Sequence, residues 1–153
     1  MDGFFWPVLL FPFAFAALWA GVTLLLSFFG GWRSLAGTYR GQLSSVEGAV
    51  SMGSGMMSRF GFPASMNHVL NVAVGDEGVQ LSLFRPFALG SPPLLIPWSD
   101  LGDCRAYKAL GLFDRFSFRP VRGDVKITLS GPAARLVRDE VASGAVRRSL
   151  APA

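Results

Sequence analysis

The side chains that could carry chemistry in this sequence are few and scattered. His68 is the one histidine among 153 residues, flanked by Asn67 and Val69 where a strand-like run begins. A metal site needs several converging ligands, and a Ser-His-Asp triad needs an acid to orient the ring. Spacing supplies neither, so His68 reads as a surface or strand-edge histidine. Cys104, the single cysteine, stands between Asp103 and Arg105. A neighbouring cation can lower a thiol pKa, but a lone strand cysteine more simply serves as a small apolar filler, which is the reading adopted. One cysteine excludes an intramolecular disulfide and is compatible with a reducing compartment. Asp100 and Asp103 could hold a cation, although Asp100 after Trp98-Ser99 equally suits a turn. Gly53-Ser54-Gly55 lacks the Gly-Lys-Ser/Thr ending of a phosphate-cradling P-loop. No nucleophile–base pair, carboxylate dyad or metal cluster emerges, so no catalytic residue, metal, cofactor or small-molecule substrate is expected.

Basic residues offer the more informative pattern. Arg105, Lys108, Arg115, Arg119, Arg122 and Lys126 are accompanied by only Asp114 and Asp124 in the same stretch. On consecutive strands, positions of the same parity share a face, so these side chains could align into one lipid- or partner-binding patch. Near a bilayer, such a patch attracts anionic headgroups by ~1 kcal/mol per basic residue. An ordinary solvated face is the competing reading. The chain has 14 Lys+Arg against 10 Asp+Glu, and with Asp2 the sole charge before Arg33, the remainder carries 14 against 9, a net +5. This is mildly basic and too dispersed for nucleic-acid recognition.

The elements that must position these residues divide by solvent. Hydrophobic residues make up 51% of the chain and charged residues 16%, and no side chain from Gly3 to Trp32 is charged. About 20 apolar residues cross a ~30 Å hydrocarbon core as a helix. Trp6 and Trp32, about 26 positions apart, span roughly 39 Å if the interval is helical, which suits aromatic residues at both headgroup layers. Trp19, Phe28 and Phe29 belong to the same expected anchor. Pro12 would kink a helix begun before it, so regular helix is expected from Pro12 to Phe29 after a looser start. A signal peptide is the rival, but the start Met1-Asp2-Gly3 is not basic, and the run is long and lacks a small-x-small cleavage site. Arg33 and Arg40 follow the span while only Asp2 precedes it, which places the C-terminal domain in the cytoplasm, on an inner-membrane single-pass anchor.

Beyond the anchor (1–32), Trp32, Leu35 and Tyr39 have helical spacing and would share one face of a short juxtamembrane helix. Residues 33–55 otherwise read as a Gly/Ser-rich connector or weakly specified strand. The β-rich domain is expected over 56–143. Runs Val69–Val74 and Val79–Leu83 around Gly75-Asp76-Glu77-Gly78 predict a hairpin. Leu94–Trp98 predicts an edge strand because of Pro97. Strands follow at Cys104–Leu110, Leu112–Phe118 and Val125–Leu129, then a helix at Pro132–Ala142 and a flexible tail over 144–153. Phe84, Phe87 and Leu89 around Pro86 form an apolar loop that either dips into a membrane or partner or fills the mouth of the sheet.

The strand meander, the segment Leu95-Ile96-Pro97-Trp98-Ser99-Asp100-Leu101 and the terminal helix resemble the GRAM/pleckstrin-homology-like domains of bacteria, and Gly78 to Leu101 is similar to membrane-anchored bacterial proteins of this size. The resemblance covers 56–143. It implies an α+β chain in which one transmembrane helix precedes a small antiparallel β-barrel or sandwich (PH-like) closed by a C-terminal helix. It further implies lipid or protein binding, with membrane lipids and a membrane protein as partners, and carries no catalytic residues. A structural subunit of a larger membrane complex is the alternative.

Overall fold

The computed structural model describes residues 5–150. The first helix, α1 (Phe5–Phe29), runs straight through Pro12 rather than starting there. The correction has a simple cause: Pro12 forfeits one hydrogen bond, to the carbonyl of Val8, while the helix continues on both sides of it. Trp6–Phe29, 24 residues, is long and apolar enough to cross a membrane. Asp2, the acidic flank of that span, lies outside the described residues.

Two glycines turn the chain from α1 into the domain. Gly31 adopts φ +84°, and a Cβ there would stand 2.5 Å from Val125 Cγ2, so only glycine fits both the left-handed turn and the close approach. The second helix, α2 (Trp32–Tyr39), begins at once. Its Trp32, Leu35 and Tyr39 share one face as their spacing requires, with exposures of 1%, 1% and 3%. Trp32 Nε1 donates to the carbonyl of Pro92 at 2.8 Å. Trp32 is therefore a core residue, not the exposed headgroup anchor expected from its distance to Trp6. The helix it opens packs this face into the core of the domain.

Seven strands form one antiparallel sheet: β1 (Gly48–Arg59), β2 (Phe62–Gly75), β3 (Gly78–Leu83), β4 (Leu94–Pro97), β5 (Leu101–Ala109), β6 (Phe113–Pro120) and β7 (Lys126–Ser130). Their order is β4-β3-β2-β1-β7-β6-β5. The predicted hairpin is present, with Val74 opposite Val79 and Gly75 opposite Gly78. Gly78 is obligatory, because a Cβ there would lie 2.1 Å from the carbonyl oxygen of Ile96 on β4. The sheet curls into a half-barrel rather than a closed barrel. β4 has only four residues and ends at Pro97, which cannot donate a ladder bond, so it does not reach β5. α2 occupies that seam: the bridge Arg40–Leu94 and the bond from Gly41 N to Pro93 O tie its end to β4.

Of the two readings of the Gly/Ser-rich stretch, connector or weakly specified strand, the strand is what forms: the packed unit begins at α2, ahead of residue 56, and the stretch is the central strand β1. Its glycines make room for neighbours. A Cβ on Gly55 would meet Leu70 Cδ2 at 2.9 Å, and one on Gly53 would meet Ala133 at 3.3 Å. The last helix, α3 (Pro132–Leu150), outruns the expected end at Ala142 and overlaps the expected tail, of which residues 151–153 lie outside the described residues. Ala133, Ala134 and Val137 seal the end of the half-barrel remote from α1.

Removing Trp32 tests how far this core depends on the junction. Trp32→Ala is expected to cost about 3–5 kcal/mol in denaturant unfolding of the full chain in detergent. Trp32→Phe, which keeps most of the volume but loses the bond to Pro92, should cost about 1 kcal/mol. A loss below about 1 kcal/mol for the alanine variant would show that α1 and the domain pack independently.

Candidate functional site

The six basic residues do not form one patch; the strand register sorts them. Arg105 is opposite Ser117 across β5 and β6, and Ser117 is opposite Thr128 across β6 and β7. Phe116, Phe118, Ile127 and Leu129 take the alternate parity and fill the core. Arg105, Ser117, Arg119, Thr128 and Lys126 thus share the outer face. Arg105, Arg119 and Lys126 converge with Asp103 and Phe118 around a hollow of about 180 Å³ that Ser117 also lines. Ser117 is 1% exposed, and its hydroxyl has no hydrogen-bond partner among the described residues. Nor does any of these three cations enter an ion pair among the described residues.

The other three basic residues go elsewhere. Lys108 pairs in register with Asp114, on the opposite side of the β5–β6 ribbon from Arg105. Asp114 is engaged by Arg135 at 3.5 Å and Arg138 at 3.7 Å. Arg115 lies on Ser117's face but lines a separate hollow with Tyr107, Lys108 and Arg138, its Nε buried without a partner. Arg122 is drawn to the seam, where its Nε donates to Asp100 Oδ2 at 2.8 Å and its guanidinium lies 5.5 Å from the Tyr39 ring.

That seam is a clamp across three elements. Tyr39 donates its hydroxyl to Asp100 Oδ2 at 3.0 Å and accepts the backbone N–H of Arg122 at 3.0 Å. The hydrogen bond from Arg122 holds the Asp100 carboxyl below the ordinary carboxylate range, while burial pushes the Tyr39 phenol up. A second link runs from Arg59 Nε to Asp124 Oδ2 at 2.8 Å and from Ser34 Oγ to Asp124 Oδ1 at 3.3 Å. The bond from Arg59 lowers the Asp124 pKa likewise. Asp100 ends the 3-10 turn Trp98–Asp100, as its turn reading expects, and its carboxylate is the acceptor of this clamp.

The apolar loop packs along α1. Phe87 meets Trp19 with ring centroids 5.8 Å apart, Ser27 Oγ donates to Gly90 O at 3.1 Å, and Ser91 Oγ donates to Ser27 Oγ at 2.9 Å. A groove of about 390 Å³ remains between this helix face and β2, lined by Val22, Leu26, Met66, Val69 and Phe87 among others. Phe84, Phe87 and Leu89 stay 44%, 37% and 46% exposed. At the tip joining β1 to β2, Phe60 and Phe62 are also exposed. A Cβ on Gly30 would touch Ala64, so that tip lies at the foot of α1. Pro12, Phe28 and Phe29 keep to the outside of α1, as does Trp6.

Cys104 is exposed rather than buried filler, because β5 bulges between Gly102 and Arg105 and turns it outward. Partial burial and the adjacent Asp103 raise its pKa, so the thiol form prevails at neutral pH. His68 is exposed, with φ +57°. Among the described residues no three His, Cys, Asp or Glu side chains gather as metal ligands. Ser117 escapes a reading by composition, and Asp103, read as able to hold a cation, instead borders the hollow beside the three basic residues. Only the alternation in Phe116-Ser117-Phe118, combined with strand register, could have placed Ser117 under the cations. No family model, curated protein or solved structure matches this chain.

The clamp sets an acid limit on stability. Asp100 and Asp124 have folded pKa values below the unfolded carboxylate value of about 3.9, so their contribution is complete above that value and is lost as pH falls through the lowered one. Thermal melts of the full chain should fall steeply in that acid window. Asp100→Asn should lower the melting temperature at neutral pH and flatten the acid limb, and an unchanged limb would remove Asp100 from the account.

Proposed function

We propose that this chain is a non-catalytic, membrane-tethered binding module, whose PH-like β domain is held against the bilayer and contacts anionic lipid headgroups. The observation that carries the proposal is the packing of the domain along α1. Trp32 is buried in the domain core and Ser27 is hydrogen-bonded to the loop at Gly90 and Ser91. An anchor joined so firmly fixes which face of the domain meets the lipid. Phe87 reaches the level of Trp19, about ten residues or roughly 15 Å along α1 from its end at Phe29. With α1 across a bilayer, Phe84, Phe87 and Leu89 lie in apolar surroundings.

Charge follows the same direction. Val125 packs at Gly31, which puts the next residue, Lys126, at the foot of α1, on the outer face shared with Arg119 and Arg105. Arg33 and Arg40 are exposed next to the same end. These cations support a cytoplasmic position for the domain at an inner membrane, where they would favour anionic lipid.

The full chain in phosphatidylcholine nanodiscs, with and without phosphatidylglycerol, tests this. A paramagnetic headgroup label should broaden amide signals around Phe60–Phe62 and Phe84–Leu89. Phosphatidylglycerol should extend the broadening to Arg119 and Lys126, and added salt should reverse that part, since such attraction is screened within ~10 Å at 0.1 M. Broadening at Arg119 and Lys126 that ignores both lipid charge and salt counts against headgroup contact.

A second reading, an accessory subunit of a membrane complex, has its own observation. Leu110, Leu112 and Phe113 at the tip joining β5 to β6 are 90%, 79% and 59% exposed. That tip lies at the opposite strand end from Phe60, beside the start of α3. Stoichiometric co-purification from native membranes, with crosslinks at these residues, would favour it.

A further inference from the structure

We infer that the hollow over Ser117 is a binding site for a single phosphate monoester group. Three observations converge on it. The hollow, of about 180 Å³, is bounded by Arg105, Arg119 and Lys126, none of them in an ion pair among the described residues, with Asp103 as the one acid. Elsewhere in the domain, arginines with a carboxylate in reach are paired, as Arg59 is with Asp124 and Arg122 with Asp100. Three cations left unpaired around one hollow are arranged for an anion that the chain does not itself supply.

The floor supplies the second observation. Ser117 is 1% exposed and its hydroxyl has no partner among the described residues, although a buried polar group left unsatisfied is costly. An alanine would serve a purely structural floor better. A hydroxyl beneath three cations can donate to an anion oxygen once the long side chains above it part, which their flexible stems allow.

The third observation is charge. Three cations less the Asp103 carboxylate leave a formal +2 around the hollow. A phosphate monoester carries about −1.5 to −2 near neutral pH, whereas a diester carries −1. Two guanidinium forks and an ammonium also match three terminal oxygens better than the two free oxygens of a diester. The site deepens the membrane-binding reading and rests on it only for the source of the phosphate, which is either a lipid such as phosphatidic acid or a free phosphate compound.

The test uses the full chain in phosphatidylcholine nanodiscs, titrated with inorganic phosphate and followed through the amide signals of Arg105, Ser117, Arg119 and Lys126. Saturable shifts confined to these residues are expected. Ser117→Ala should weaken phosphate binding about tenfold while leaving the melting temperature unchanged or raised, because it removes an unsatisfied group. Arg119→Gln should weaken binding at least as much, and Arg105→Gln provides an independent variant. A second arm replaces part of the lipid with phosphatidic acid or with phosphatidylglycerol. Shifts at the same residues with phosphatidic acid, displaced by inorganic phosphate, support the site with a lipid source. Phosphate binding without any response to phosphatidic acid supports the site with a soluble source and counts against the headgroup reading. Absence of saturable phosphate shifts, or shifts that survive all three substitutions, overturns the site. If phosphatidylglycerol still broadens Arg119 and Lys126 in that event, the membrane reading stands without it.

Discussion

Burial of the Trp32 indole in the domain core, three residues past the end of α1, is the constraint from which the remaining arrangement follows. An apolar helix and a β domain joined by a loose linker would be independent bodies. Here the linker is two glycines, and the next residue is 1% exposed and hydrogen-bonded to Pro92. The bond to Pro92 fixes the chain that follows the apolar loop, and that loop in turn packs on Trp19 and Ser27 of α1. One side chain thereby closes a circuit: helix end, core, loop, and back to the helix. Thr23 and Ser27 become nearly buried within an otherwise exposed apolar helix because this circuit covers one side of it.

The half-barrel uses its open seam as a second joint. A closed barrel would need β4 and β5 to pair; Pro97 and the shortness of β4 prevent it, and α2 fills the gap instead. Beside the missing strand pair, Tyr39, Asp100 and Arg122 satisfy one another across α2, the end of β4 and the turn into β7. Arg122 and Arg59 are consumed by structure. Arg105, Arg119 and Lys126 are not, and the contrast is one of geometry: no carboxylate among the described residues pairs with them, although Asp103 also lines their hollow.

Much of the architecture was legible in the residues. The charge-free run, the Gly-Asp-Glu-Gly turn between two alternating strands, and the helical spacing of Trp32, Leu35 and Tyr39 are local signals, and local signals survive folding because they reflect backbone geometry and side-chain periodicity. β1 was not legible. Its glycines suppress the alternation that identifies a strand, and the reason for them is the proximity of Leu70, Leu129 and Ala133, which are remote in sequence. The passage of α1 through Pro12 was misread for a related reason: the cost of proline is local, but the drive to keep a long apolar segment helical belongs to the whole segment.

The sequence by itself determined that this protein has an apolar segment of membrane-crossing length, an antiparallel β domain and a surplus of cations on three neighbouring strands. Composition and period carry those properties, and neither depends on a partner distant in the chain. Which cations stand together was decided only by tertiary structure. Strand register places Arg105, Ser117 and Lys126 on one face, the seam removes Arg122, and Asp114 with its α3 partners occupies the neighbourhood of Lys108. The fate of Trp32 was decided in the same way. A tryptophan at that distance from Trp6 fits a headgroup layer and a protein core equally well, and only the position of Pro92 and the sheet beneath it selects the core.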